Sequence, residues 1–209
     1  MVKVTTYPMV HIGCDSFYQH VSRDLVRCRF ILHEGVTWRS GNQRHPLYDL
    51  LACNLGLAAQ ETVLRYPSSA KTTNLDMSRS EFRRKLFSLP LRYVFESMFL
   101  RYLLWLLTIP KSSRPFAQQV LLRRRRFQQM EEDTQLDQLI LRARDRRVVE
   151  NLRKFFLEID IEKNHTYCGI VFGAAHMPAI CAALRSLGFR SGSRRWIEVL
   201  RFPQNESGT

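Results

Sequence analysis

No two of the five cysteines (Cys14, Cys28, Cys53, Cys168, Cys181) stand at CxxC spacing, and their number is odd. That pattern argues against a disulfide framework and against a cysteine zinc site. It predicts that the three flanked by apolar residues are small buried thiols in a reducing compartment, the cytoplasm. Acidic residues are also scarce: 19 Asp+Glu against 32 Lys+Arg leave a formal charge of +13 and a pI near 10.1. Such a balance favours anionic partners without choosing among them. Nucleic acid is disfavoured, because neither zinc-finger spacing nor an aromatic RNA-binding signature accompanies the charge. The start, MVKVTTYPMVHIG, has no basic segment leading into a long apolar one and no small-residue cleavage site, so no secretory leader is expected. No internal repeat of solenoid period is present.

Long uncharged runs are missing as well. The most apolar stretch, residues 89–115, is interrupted by Glu96 and Arg101, which leaves eight uncharged residues from Tyr102 to Ile109. A bilayer span needs roughly 20. A buried helix is expected instead, or a surface covered by a partner, a second copy of the chain packing through residues 89–109 included. Trp105, Tyr102 and the basic LLRRRRF at 121–127 add peripheral contact with an anionic membrane surface as a further expectation.

What is there suits one globular domain over 1–209, with 45% hydrophobic residues and a variable helical insertion at about 88–130. YPMVHIG at 7–13 and RFILHEG at 29–35 read as strands. Between them Phe17, Val21, Leu25 and Val26 recur at helical spacing, which completes a β-α-β unit. A helix is expected over 47–65, a short strand at 71–75, and a further helix opened by a capping box at Ser78 and Glu81. A long helix follows over 131–159. TYCGIVFG at 166–173 reads as a buried strand, 177–187 as a helix stopped by Gly188, and RRWIEVLRF as a final strand. The predicted class is α/β, a mostly parallel central sheet flanked by helices.

In such a sheet His11, at the end of the first strand, and His176, after the strand at 166–173, fall at the carboxyl edge, where open α/β folds bind ligands. Glu34 closes the second strand at that edge. Two imidazoles and a carboxylate are a plausible three-ligand set for a divalent cation with a position left for water. His20, His33, His45 and His165 have no partner at diagnostic spacing, and His33 should face away from Glu34.

FGAAHMPAICAALRSLGF at 172–189 resembles the carboxyl-terminal signature of the TraB/PrgY/GumN proteins, which include the TIKI metalloproteases and lie near the EreA/ChaN-like folds. The GxxH is intact at Gly173–His176. PMVHIGCDSFYQHV followed by FILHEGV is similar to the family's first GxxH, its helix and its strand ending in glutamate. The helix holding Gln60, TTNLDMS with Asp76, and ARDRRVVENL with Arg144 extend the similarity over most of the chain outside 88–130. One departure stands out: Pro8 replaces the first glycine of the first GxxH.

The resemblance implies an EreA/ChaN-like sheet and a metal-dependent hydrolase, peptidase-like, acting on a peptide or small molecule. His11, Glu34 and His176 would hold the divalent ion. Glu34 would also serve as base, with Asp76 beside it and Arg144 opposite developing negative charge. The alternatives are a non-enzymatic regulatory protein that binds a membrane surface or a partner on the same fold, and a porphyrin protein with haem between the histidines.

Overall fold

The parallel sheet is built where β-branched and apolar residues can be covered on both faces. A computed structural model of the chain describes residues 2–35, 46–88, 90, 135–159 and 166–201. Four strands pair in the order β1 (Val2–Met9), β6 (Thr166–Gly173), β3 (Phe30–His33), β5 (Lys71–Asn74), and every pairing is parallel. β6 lies inside the sheet and is apolar almost without a break, as a strand buried on both faces must be.

Along β6, Cys168, Ile170 and Phe172 face one layer, with Leu32, Leu75 and the helices α5 (Gln135–Glu158) and α6 (Met177–Ser186). On α5, Ala143, Val148, Leu152 and Phe156 are buried. Val171 turns to the other layer, with Ile31, Tyr7, Met9 and helix α1 (Asp15–Leu25), whose Phe17, Tyr18, Val21 and Leu25 are buried. Gly169 admits α1: a Cβ there would come within 2.7 Å of Leu25 Cδ2. Each large side chain fully buried in this way contributes about 1.5–3 kcal/mol.

Between the strands of the sheet lie a small antiparallel pair, β2 (Ile12–Gly13) with β4 (Ala58–Ala59), and three helices, α2 (Pro46–Leu55), α3 (Gln60–Val63) and α4 (Arg79–Phe87). The α4 capping box forms as expected. The Glu81 amide donates to Ser78 Oγ at 3.2 Å, and the Ser78 amide to Glu81 Oε2 at 2.8 Å.

Three expectations are corrected. The first strand runs from Val2 and ends at Met9, so His11 lies two residues past it, in a bend. The helix expected over 47–65 stops at Leu55. Gly56, at φ 67°, donates to Cys53 O while Leu57 donates to Ala52 O, a Schellman stop. Arg194–Arg201 forms no strand. Among the described residues its Val199 carbonyl accepts one backbone bond, from Cys14 at 2.8 Å, and no neighbouring strand continues the ladder.

No helix among the described residues is long and apolar enough to cross a membrane. The expectations for the apolar stretch 89–115, the basic run 121–127, most of the insertion, His45 and His165 lie outside the described residues.

Candidate active site

All four strands of the sheet end in the same direction, and the residues after three of them, β3, β5 and β6, meet two consecutive residues of α5. Glu34 follows β3, Asp76 follows β5, and β6 passes through a 3₁₀ turn, Ala174–His176, into α6. Arg144 and Asp145 point from α5 to different members of this group. Arg144 Nη2 donates to Glu34 Oε1 and to Asp76 Oδ2, both at 2.5 Å, and its Nε donates to Asp76 Oδ1 at 3.2 Å. The Asp76 side chain is fully buried. It is held further by the Met77 amide at 2.8 Å, while its own amide donates to Asn74 Oδ1. A fork of this kind is the strong geometry for an arginine–carboxylate pair.

His176 is 3% exposed and lies between two carboxylates. Its Nδ1 is 2.6 Å from Asp145 Oδ1 and its Nε2 is 3.4 Å from Glu34 Oε1. Phe172 packs edge-on against the ring. Glu34 Oε2 accepts the Gly173 amide at 2.5 Å. Gly173 has ordinary extended dihedrals, so backbone freedom is not what requires glycine here. Space is: a Cβ at 173 would fall 2.8 Å from Glu34 Oε2. The glycine of this GxxH leaves room for the carboxylate that the histidine also meets.

The charges are locked in. Burial alone would push the Glu34 carboxyl up, but His176, the Arg144 charge and the Gly173 amide hold it at about 2. Burial would likewise lower His176, yet Asp145 and Glu34 hold it at about 9 against repulsion from Arg144. Arg144 is raised too: burial opposes its charge, and Asp76 and Glu34 more than offset it. At neutral pH the centre therefore holds His176 as an imidazolium and Glu34 as a carboxylate, with the Arg144 guanidinium beside them. A groove of about 500 Å³ between α5 and α6, lined by Asp145, Val149, Arg153, Leu157 and Ala179, reaches this cluster at Asp145.

Of the residues singled out in the sequence, Glu34, Asp76, Arg144 and His176 are brought together. His11 is not among them. It is exposed, its ring stacks on Tyr48 at 4.9 Å, and its carbonyl accepts the Gln60 amide. His33 faces Tyr66 at 5.5 Å, and the Tyr66 hydroxyl is pushed up by burial and by the Glu34 charge. Asp145 joins the cluster without having been singled out in the sequence, whereas Gly173 was named there only as the first residue of the GxxH. The signal for Asp145 was its place beside Arg144, where a second polar helix residue could reach the next strand end.

Among the described residues no three His, Cys, Asp or Glu side chains are grouped to hold a metal ion. Glu34 and His176 are two donors whose 3.4 Å separation suits neighbouring ligands of a cation with bonds of about 2 Å. Arg144, however, already places a positive charge on the same Glu34 oxygen. In this arrangement the residues do not fit a three-ligand centre. A haem iron fits no better, since both His176 nitrogens face carboxylates.

Fold and site together define an α/β protein with a buried ionic cluster at the carboxyl edge of a parallel sheet. Comparison of the chain with family models, curated proteins and solved structures finds no match.

Proposed function

We propose that the chain is a hydrolase of the TraB/PrgY/GumN kind, on an EreA/ChaN-like sheet, with Glu34 and His176 as its acid–base pair. The observation that carries this reading is the convergence of Glu34, Asp76, Arg144 and His176 in a largely buried cluster. Burying five ionisable groups costs several kcal/mol per ion before pairing offsets it, and well-packed apolar side chains would stabilise the edge as well. Clusters kept despite that cost concentrate at functional sites.

The chemistry follows from the pairing. His176 carries a proton at neutral pH and can give it to the leaving group of an ester or amide. As it does, one of the two positive charges that depress Glu34 is lost, the Arg144 charge remaining, and the carboxylate gains basicity toward a proton of the attacking water. Water's oxygen bonds to the acyl carbon, the bond to the leaving group breaks, and the proton from Glu34 returns the pair to its resting state. Asp145 orients the imidazole, while Arg144 and Asp76 fix the carboxylate.

A second reading, a binding protein without turnover, is favoured by one observation: both Glu34 oxygens are occupied internally, by Arg144, His176 and Gly173. One assay separates the two. Purified protein is offered a panel of activated esters and peptides, beside E34Q and H176N variants checked for folding by circular dichroism. The hydrolase reading expects turnover that falls at least 100-fold in both variants. Turnover unchanged by either variant, or none from the parent, overturns it.

A further inference from the structure

The carboxyl-terminal stretch Arg185–Arg201 carries five arginines and one glutamate, Glu198, which is bound by Arg201 at 2.5 Å. Its end is tied down at one place. The Cys14 amide and thiol both donate to Val199 O, at 2.8 and 3.1 Å, and a side chain at Gly13 would crowd that carbonyl at 3.0 Å. Ile197 and Val199 pack inward against the α1 layer. Alternation therefore turns Trp196 outward, and it is 93% exposed, more than any other large apolar side chain described. Arg190, Arg194 and Arg195, close to it in sequence, are exposed as well.

We propose that this stretch is a docking strap for an anionic phospholipid surface. Water-exposed indole is costly, and the headgroup layer is where tryptophan's apolar body and N–H are both accommodated. Exposed guanidinium groups beside it supply attraction to anionic headgroups, and Arg201 neutralises Glu198, the one carboxylate in the described part of the stretch. Fastened by Ile197 and Val199, the strap presents its indole without unfolding anything. Single-stranded nucleic acid is the poorer fit, because it is bound by successive stacking platforms along a groove. Here one aromatic stands in a stretch exposed from Arg190 to Trp196. This surface is separate from the candidate active site, and the two proposals can fail independently.

The test uses the full chain and vesicles of phosphatidylcholine with and without 30% phosphatidylserine, read by co-sedimentation at low and physiological salt. Binding is expected only with the anionic lipid and should fall with salt. Arg194→Ser with Arg195→Ser should weaken it about 30-fold. Trp196→Ala should weaken it about tenfold while leaving the salt dependence in place. Both changes are at exposed positions, so the fold is retained, as circular dichroism would verify. Vesicle binding that neither variant alters overturns the proposal, since another segment is then responsible. So does absence of binding at low salt, or binding of a single-stranded oligonucleotide that both variants abolish while vesicles are ignored.

Discussion

Two neighbouring parallel strands of this protein are each followed by a histidine, His11 two residues past β1 and His176 three past β6, and the surroundings of those histidines could hardly differ more. After β6, Gly173 leads to a His176 that is almost fully buried between Glu34 and Asp145. After β1, Pro8 leads to a His11 that is exposed and stacked on Tyr48. Pro8 itself is exposed on a strand at the sheet's edge, where its missing amide hydrogen leaves no ladder bond unmade. The difference lies in what the first residue of each motif admits. At 173 the absence of a Cβ lets a carboxylate from the next strand reach the backbone amide. The described residues show no such carboxylate at Pro8.

The contrast can be broken most forcefully through Arg144. Arg144→Leu would leave Glu34 and Asp76 buried without their cation, and a loss of about 3–5 kcal/mol is expected. His11→Ala removes an exposed ring stacked on Tyr48 and should cost less, about 1 kcal/mol. Urea unfolding of the two variants measures both; comparable losses would show that the cluster is no more coupled than the exposed ring.

Next in size is the pH dependence. His176 is raised from 6.5 to about 9, so its stabilisation is complete below pH 6.5 and lost as pH rises through 9. Glu34 is depressed from 4.5 to about 2, so its share is complete above pH 4.5 and lost as pH falls through 2. Each limb is of order 3 kcal/mol, and since the two groups form one pair they are not summed. Asp145→Asn should flatten the upper limb selectively. An unfolding free energy that is the same at pH 6 and pH 9.5 in the parent would contradict a proton held on His176.

The smallest test sharpens the comparison between the two motifs. Gly173→Ala forces a methyl group against Glu34 Oε2 and should cost about 1–3 kcal/mol. Pro8→Ala, at an exposed edge position, should stay within about 0.5 kcal/mol. Equal effects would mean that the glycine does not make room for the carboxylate.

How much of this could be read from the chain divides along physical lines. Properties carried by neighbours in sequence were legible: the β-α-β start, the apolar run of β6, the Ser78–Glu81 capping box and the Schellman stop at Gly188. The same chemistry was present at Gly56, yet helical periodicity on both sides concealed it, because a periodic pattern does not register a single left-handed residue. RRWIEVLRF alternates as a strand should, but a strand needs a partner, and among the described residues only Cys14 bonds to its backbone.

For the candidate site, residue types at strand ends picked out Glu34 and His176, with His11 beside them, while Asp76 and Arg144 came only from the family resemblance. Their pairing, the place of Asp145 and the separation of His11 were not legible. These depend on contacts between residues 31 to 139 positions apart, as in His176 with Asp145 and Gly173 with Glu34. Local sequence thus determined which segments could be strands and helices and what chemistry their ends carry. Only the tertiary structure, by stacking strands in register and turning α5 against their ends, decided which charges face one another. Electrostatic energy depends on distance in space, which sequence spacing does not supply.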